Sequence, residues 1–373
     1  MARGRKGDKP GNFVSEWFGH RVYPTVVSTA ESLRDQQTEA CPFLSEATQE
    51  ARTCIKANAS KGVCTINTLA PAARQDWPVC PYRALSTEMI AAAIRRLFDM
   101  TAIQVPFAVP AVSMTKENVR ADLTARLVRG QHVFVYFDAK MGGELSIPPT
   151  ESSPEFAFDV TIVELELKDG LPHIGRFGIL EIQTMDFHGS YRSAVRNLRD
   201  GLRLHPSDFP QTLRVNQHWL SENIEGPNIA NVFKRTFYQM MFKFQLGAHD
   251  RCAGCVLAIP QSVWDSWQRH LGAPKLTPRG DGMLSMIAPE HVLSDPPPAW
   301  IIVFEPDGAA TTTPSPIRIS KLIATDVPAM SYWALEIAPQ AALANIDSGG
   351  GMLMLMARRL KRLWPELAET LSV

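Results

Sequence analysis

One stretch of the sequence, residues 158–191, constrains the fold more than any other. Its first part, residues 158–167, alternates apolar and polar side chains and is rich in β-branched residues. A second, almost continuously apolar run covers residues 174–184, and Lys168-Asp169-Gly170 lies before it. Asp-Gly between two such runs is a strong short-range signal for a hairpin turn. The sequence therefore predicts two antiparallel strands joined by a tight turn.

The predicted hairpin gathers three polar side chains. Side chains alternate between the two faces of a strand, so Glu181 and Gln183 point the same way. Asp159 opens the first strand, close to where the second strand ends if the two strands pair antiparallel. A Glu and a Gln in so apolar a strand need partners, because burying an unpaired carboxylate is costly. We predict that these three residues converge at the edge of a sheet.

An Asp on one strand followed by Glu-x-Gln on the next resembles the layout of the PD-(D/E)xK nucleases. Gln183 holds the position that is usually Lys. Two converging carboxylates form a site for hard divalent cations, which prefer oxygen ligands. The pattern is short, and an ordinary amphipathic hairpin with polar outer residues would also produce it. Glu144, which follows two glycines, reads on its own as a solvated loop residue.

Four cysteines lie upstream of the hairpin with the spacing C-x12-C-x9-C-x15-C, at Cys41, Cys54, Cys64 and Cys80. Four thiolates can bind Zn or Fe tetrahedrally, and the spacing does not choose between the two metals. The alternative interpretation is a set of buried free cysteines. Cys252 and Cys255 form a lone C-x2-C pair, a weaker signal that we interpret as structural.

Basic residues recur with helical spacing after the hairpin. Residues 190–204 are predicted to form a helix with an apolar stripe and a parallel stripe of four arginines, Arg192, Arg196, Arg199 and Arg203. Such arginines either form a solvated face whose stems cover the core edge or contact a phosphate backbone. A second predicted helix, residues 228–246, offers Lys234, Arg235 and Lys243 for backbone contacts. We take the four arginines, Lys234 and Arg235 as candidate DNA-binding residues.

Composition sets wide limits on the partners and the location of the chain. Its 373 residues carry no net charge, which does not favour nucleic acid but leaves room for a local basic patch. We find no apolar run of the roughly 18 residues that cross a bilayer. The charged N-terminus is not followed by an apolar segment, so we expect no signal peptide, no membrane partner and a cytoplasmic location.

We expect an α/β protein with four parts. These are a basic N-terminal arm (1–20), a four-cysteine metal-binding module (21–84), a core of mixed β-sheet flanked by helices (85–345) and a basic C-terminal helix (346–373). The arm carries Arg3, Arg5, Lys6 and Lys9. Such a tail is either disordered or lies along DNA phosphates.

Longer runs of sequence are similar to the NotI family of Type II restriction endonucleases. The matching stretches are the four-cysteine segment, WFGHRVYP (17–24), GGELS (142–146), residues 152–159, GILEIQTMDFHGSY (178–191), EGPNIANVFKRTFYQM (225–240) and IPQSVWDSWQRHL (259–271). The similarity covers most of residues 18–271. It is poor over residues 196–223 and beyond residue 274, so the bases that such an enzyme would read are not indicated.

The resemblance implies a Mg²⁺-dependent, homodimeric endonuclease with a PD-(D/E)xK core that cuts double-stranded DNA. A two-fold dimer reads a palindrome, expected here to be GC-rich, about eight base pairs long and cut with a 5′ overhang. By matching motif, Asp159, Glu181 and Gln183 are the catalytic set, and Glu144 joins Asp159 and Glu181 as a Mg²⁺ ligand. The resemblance also implies iron in a rubredoxin-like module. A cognate DNA methyltransferase is expected in the same host, not as a stable partner.

Two other functions stay open at this point. One is a metal-stapled DNA-binding protein whose catalytic site has decayed, since Gln183 cannot supply the charge of a lysine. The other is a redox or electron-transfer protein built on the four cysteines, which would leave the hairpin carboxylates without a role.

Overall fold

The computed structural model describes residues 11–70, 73–101, 103–308, 310, 312–347 and 352–366. The basic residues expected in the N-terminal arm, Arg3, Arg5, Lys6 and Lys9, lie outside these ranges. No helix in the described ranges is long and apolar enough to cross a membrane.

The strands, in chain order, are β1 (Phe13–Trp17), β2 (His20–Arg21), β3 (Val63–Leu69), β4 (Arg74–Pro78), β5 (Phe107–Pro110), β6 (Val133–Phe137), β7 (Leu145–Ile147), β8 (Phe156–Phe158), β9 (Val160–Lys168), β10 (Leu171–Ile182), β11 (Phe187–Gly189), β12 (Ile224–Pro227), β13 (Cys252–Pro260), β14 (Thr277–Pro278), β15 (Leu284–Ser285), β16 (Ala299–Pro306) and β17 (Ile317–Thr325).

The α-helices are α1 (Ala30–Thr38), α2 (Pro42–Thr48), α3 (Thr87–Leu97), α4 (Glu117–Val128), α5 (Arg192–Leu204), α6 (Phe209–Val215), α7 (Ile229–Leu246), α8 (Gln261–Trp267), α9 (Val327–Ser331), α10 (Ala338–Asp347) and α11 (Met352–Leu363). Short 3-10 helices cover Pro81–Ala84, Ala111–Thr115 and Gln217–Leu220, and a π-helical segment covers Tyr332–Ile337.

The large sheet of the described residues has nine strands in the order β14-β15-β17-β16-β13-β10-β9-β6-β5. Its centre is parallel, because β13 runs parallel to both β10 and β16, whereas β9 is antiparallel to β10 and β6. Strands β13 and β16 are apolar and almost wholly buried, as expected for strands covered on both faces. The prediction of a mixed sheet flanked by helices is confirmed.

Helices cover both faces of the large sheet. On one face, α3 packs its apolar stripe against β10 and β13, so closely that a Cβ at Gly178 would meet Leu97 Cδ1 at 2.8 Å. On the other face, α7 and α8 bury side chains such as Phe233, Phe244 and Trp264. This second face is the one that Glu181 and Gln183 share with Ile179, since the three alternate with Leu180 and Ile182.

The predicted hairpin is present as β9 and β10. The strands pair antiparallel with Leu180 opposite Val160 and Leu171 opposite Lys168. Asp169 and Gly170 form the turn with φ angles of 52° and 78°, a backbone that Asp and Gly adopt more readily than other residues. The turn prediction from Lys168-Asp169-Gly170 is therefore confirmed.

A smaller sheet of the described residues, ordered β2-β1-β3-β4, carries the cysteine segment. It starts at Phe13, so part of the stretch assigned to the N-terminal arm (1–20) belongs instead to this sheet. The reason is that β1 pairs with β3 and buries Val14 and Trp17 in the core of the small sheet. Helix α5 packs on the same core through Val195 and Leu198, as its predicted apolar stripe requires.

Two neighbouring residues tie the small sheet to the large one. Tyr82 is partly buried and packs against the cores of both sheets. The next residue, Arg83, is 1% exposed and forms an ion pair with Glu16 of β1 at 3.0 Å between Nη1 and Oε2. Its Nη2 donates to the carbonyl oxygen of Ser315, just before β17, at 3.1 Å. The cysteine segment is thus anchored on the core through its last turn.

Candidate active site

The ends of β9 and β10 interlock through two carboxylates. Asp159 directly precedes β9, and Glu181 lies one residue before the end of β10. The amide N–H of Asp159 donates to Glu181 Oε1 at 3.2 Å, and the amide N–H of Ile182 donates to Asp159 Oδ2 at 2.9 Å. The antiparallel register thus brings Asp159 and Glu181 together, as the sequence predicted.

Lys243 of α7 is the direct partner of Glu181. Its Nζ donates to Glu181 Oε2 at 2.5 Å, and the two residues are only 3% and 7% exposed. The sequence indicated that Lys243 was available for contacts with a phosphate backbone, and its burial shows that this prediction is wrong. Lys243 lies between Met240 and Phe244 on the face of α7 that packs on the sheet, so its ammonium points into the protein.

The pKa of the Glu181 carboxyl lies above its ordinary value. Burial, and then the nearby charge of Asp159, raise the pKa of Glu181 to about 7, while Lys243 acts in the opposite direction. Burial disfavours the ionised carboxylate because it removes the solvating water, and a second negative charge adds to that effect. The lysine ammonium therefore compensates part of the cost of a charge at this position.

Gln183 lies beside this pair but is bonded elsewhere. Its Oε1 accepts a hydrogen bond from Thr236 Oγ1 at 2.6 Å, and its Nε2 donates to the carbonyl oxygen of Thr184 at 2.5 Å. Thr236 is buried on the same helix as Lys243, two turns earlier. The structure therefore places Gln183 near the predicted site, with both ends of its amide held by protein groups.

A further carboxylate, Asp138, extends the site and was missed from the sequence. It directly follows β6, is 9% exposed, and accepts a hydrogen bond from the amide N–H of Lys140 at 2.7 Å. Burial raises the pKa of Asp138, and the charges of Glu144 and Asp159 raise it further. The available signal was an Asp at the end of the apolar run VFVYF. Glu144 itself is exposed, just before β7.

We call these four residues, Asp138, Glu144, Asp159 and Glu181, the carboxylate site. Their oxygens are the ligand type that Mg²⁺ prefers, so the donor set fits this cation. In their present positions, no three His, Cys, Asp or Glu side chains of the described ranges are arranged to hold a metal ion. Oxygens of both Asp159 and Glu181 are turned toward protein N–H groups and the lysine ammonium.

The four predicted metal-binding cysteines are brought into one buried core, and we call them the thiol cluster. Cys41 caps the N-terminus of α2, Cys54 lies in the following loop, Cys64 is on β3 and Cys80 precedes the 3-10 helix Pro81–Ala84. Each has a free thiol. The sequence spacing of these cysteines is irregular because each one comes from a different structural element.

Hydrogen bonds to sulfur surround the thiol cluster. The amide N–H of Leu44 donates to Cys41 Sγ and that of Gly62 donates to Cys54 Sγ, each at 3.4 Å. A hydrogen bond from the Cys64 thiol lowers the pKa of Cys80 to about 6, and the backbone amides of the following turn contribute to this shift. Burial raises the pKa of Cys41 to about 12.

The donor set is of the type that soft metal ions prefer, although in their present positions no three of the four thiols are arranged to hold one. Sulfur ligands suit Zn and Fe, and hydrogen bonds to sulfur stabilise the ionised form that binds metal. Burial also raises the pKa of Cys252 and Cys255, which lie in a second core at the start of β13. We keep the structural interpretation of this C-x2-C pair, because the two thiols lie in a different core from the thiol cluster.

The candidate DNA-binding side chains fall into two groups. Arg192 and Arg196 are exposed on α5 and form no side-chain hydrogen bond or ion pair within the part of the chain that the structure describes. Arg199 instead pairs with Glu39 at 2.8 Å, and Arg203 pairs with Asp200 at 3.3 Å. On this face of α5, only Arg192 and Arg196 therefore have side chains that are free to contact a partner, among the residues that the structure describes.

On α7, the two remaining candidates also differ from each other. Lys234 is exposed, and Arg235 forms an exposed ion pair with Asp186 at 3.1 Å. Both lie on the outer side of the helix, away from Lys243.

Comparison with known proteins does not assign this chain to a family. No family model matches the sequence, and no curated protein matches it significantly.

Proposed function

We propose that the protein is a Mg²⁺-dependent endonuclease that cuts double-stranded DNA, with the large sheet serving as a PD-(D/E)xK core. The observation that carries this proposal is the interlocked pair of Asp159 and Glu181 at the ends of two antiparallel strands. A buried carboxylate with a raised pKa beside a second carboxylate is typical of functional sites. An ordinary surface hairpin would not bury Glu181.

Asp159 and Glu181 would hold Mg²⁺, and Asp138 and Glu144, whose charges interact with each other, would supply further oxygen ligands. When bound, Mg²⁺ lowers the pKa of a coordinated water and neutralises charge on the phosphate and leaving oxygen. The backbone amides of Asp159 and Ile182 fix the two carboxylates relative to each other. Gln183 would support the site through Thr236 rather than by contacting water directly.

The uncommitted arginines of α5 support DNA as the partner. Arg192 and Arg196 can each contact a phosphate without first breaking an ion pair, and phosphate contacts set the position of a protein on the duplex. Arg199, Arg203, Lys234 and Arg235 would add to this surface. We further propose a homodimer that reads a GC-rich palindrome, with a cognate methyltransferase in the same host.

We propose that the thiol cluster binds Fe or Zn as a structural centre. The four sulfur donors come from separate elements, amide N–H groups donate to Cys41 and Cys54, and together the four would form a ligand set for either metal. The centre would hold the small sheet together and so support α5.

The test is cleavage of GC-rich plasmid DNA by the purified protein, with Mg²⁺ and separately with chelator, followed by sequencing of the fragment ends. We expect discrete fragments sharing one palindrome, produced only with Mg²⁺. The Asp159→Ala variant should lose cleavage by about 1,000-fold or more, as expected for loss of an essential ligand. Full cutting by this variant would refute the site assignment. Tight, salt-sensitive binding without any cutting by the wild type would favour the decayed-site alternative.

A further inference from the structure

The Glu-x-Gln end of β10 places no cation beside the paired carboxylates. The position two residues after Glu181 is Gln183, and the amide of this residue is bonded to Thr236 and to the carbonyl of Thr184. A phosphodiester brought to Asp159 and Glu181 would meet two negative charges. Such a site needs a fixed positive charge to limit repulsion, in addition to any metal.

A cation is supplied from a different element. Lys243 contacts Glu181 Oε2 at 2.5 Å and lies 5.7 Å from the centre of the Phe158 ring, next to Asp159. It reaches the carboxylates from α7, and Thr236, two turns earlier on the same helix face, holds Gln183. One helix thus contacts both members of the Glu-x-Gln strand.

Packing alone does not explain a lysine here. Its neighbours on the helix, Met240 and Phe244, are apolar, and a lysine is rarely fully buried unless it is paired. Replacing a buried ion pair by apolar residues is often neutral or stabilising. A pair kept at the meeting point of β9, β10 and α7 therefore points to a role in the chemistry of the site.

We propose that Lys243 is the positioning residue of this site and provides, from α7, the positive charge that the Glu-x-Gln strand lacks. It fixes Oε2 of Glu181 and offsets part of the charge of the paired carboxylates, which lowers the repulsion that a phosphate would meet there. This inference rests on the proposed nuclease function. It assigns the role of the missing motif lysine to a residue 60 positions away in sequence, from 183 to 243.

The test exchanges the two residues. Lys243→Gln is compared with the double variant Gln183→Lys/Lys243→Gln, which returns one lysine to the site from the strand. Two quantities are measured: single-turnover cleavage of the plasmid-derived palindrome with Mg²⁺, and affinity for the same DNA in chelator, without divalent metal. Lys243→Gln should lose about 100-fold in cleavage and about tenfold in metal-free affinity. The double variant should recover most of both.

Lys168→Gln is the matched control. Lys168 is exposed at the tip of the hairpin and pairs with Glu166, so this variant removes one lysine charge from the hairpin that carries Glu181, far from the site. It should cut and bind like the wild type. Thermal unfolding of every variant shows whether it is folded.

Each outcome decides the question. Wild-type protein that does not cut would refute the proposed function itself. If the wild type cuts and a folded Lys243→Gln variant cuts equally well, Lys243 has no role in positioning. If Lys243→Gln does not fold, the double variant decides alone, and cutting by it supports the inference. Loss of cutting or of folding in the double variant, with the wild type active, would mean a purely structural ion pair.

Discussion

The carboxylate site and the thiol cluster are both sets of side chains of the types that bind metal ions, but they are assembled differently from the chain. Three members of the carboxylate site lie at the ends of the paired strands β6, β9 and β10, so the sheet itself sets their spacing. The thiols come from a helix cap, a loop, a strand and a 3-10 turn, and no single sheet joins them. The carboxylate site also has a cation in direct contact with it, because Lys243 pairs with Glu181.

This difference separates chemistry from stability. A site held by a sheet keeps its shape when one side chain is exchanged, so a substitution there should change reactivity more than folding. A cluster that gathers four loosely connected segments contributes directly to folding when a metal joins them. We therefore expect the two regions to respond in opposite ways to substitution and to metal removal.

The largest expected effect is on the thiol cluster. Cys64→Ser, or removal of the proposed metal by a strong chelator, should lower the free energy of unfolding by about 4 kcal/mol or more. The reason is that the four segments would no longer be joined through one metal ion. Thermal unfolding and elemental analysis for Fe and Zn measure both sides of this prediction. Cys252→Ser is the control, since its thiol lies in the other core and a hydroxyl can keep the contact with the carbonyl of Gly254. Metal-free wild-type protein of unchanged stability would contradict it.

An intermediate effect concerns pH and the carboxylate site. The pKa of Glu181 is about 7 in the folded protein, above its ordinary value, so the folded state binds a proton that the unfolded state releases between about pH 4.5 and 7. The stability contributed by this proton is present at low pH and lost as pH rises through 7. In chelator, it should amount to about 2 kcal/mol between pH 5 and 7.5.

Urea unfolding of wild type and Glu181→Gln at the two pH values measures this contribution. The variant cannot gain or lose the proton, so the difference between the two proteins should grow in its favour as the pH rises. A constant difference would show that Lys243 fully compensates the charge of Glu181.

The smallest effect should come from the arginines of α5. This helix packs, through Val195 and Leu198, on the core that contains the thiol cluster. Arg196→Gln should reduce the slope of log affinity against log salt for DNA binding by about 1, because one phosphate contact is lost. Arg199→Gln should change the slope less, since Arg199 is already paired with Glu39. Fluorescence anisotropy across a salt series compares the two variants. Equal slopes would mean that α5 does not follow the DNA backbone.

Local patterns predicted the framework of the site. The Asp-Gly turn set the register of β9 and β10, and the register brought Asp159 to Glu181. Lys243 could not be placed this way, because its spacing on α7 is compatible with either a solvated or a buried position, and only the packing of the helix on the sheet decides. Asp138 was missed for a similar reason, since β6 reaches β9 only through pairing between distant segments.

The thiol cluster shows the same division between local and long-range information. The four cysteines were named from their proximity in sequence, and they do meet in one core. The hydrogen bond that makes Cys80 acidic depends on the approach of β3 to the turn after β4, which no spacing rule contains. The start of the module, predicted at residue 21, also differs in the structure. Strand β1, which precedes that residue, pairs with β3 between the second and fourth cysteines.

Tyr82 links the two regions and limits how they can diverge during evolution. It packs against both cores, and the pKa of its hydroxyl is raised by burial and then by Asp138, Cys80, Cys41 and Glu144. A recombination event that replaced the cysteine segment alone would have to preserve this shared side chain and the Arg83 anchor beside it. The two regions should therefore be inherited together, with homologues gaining or losing them as one unit.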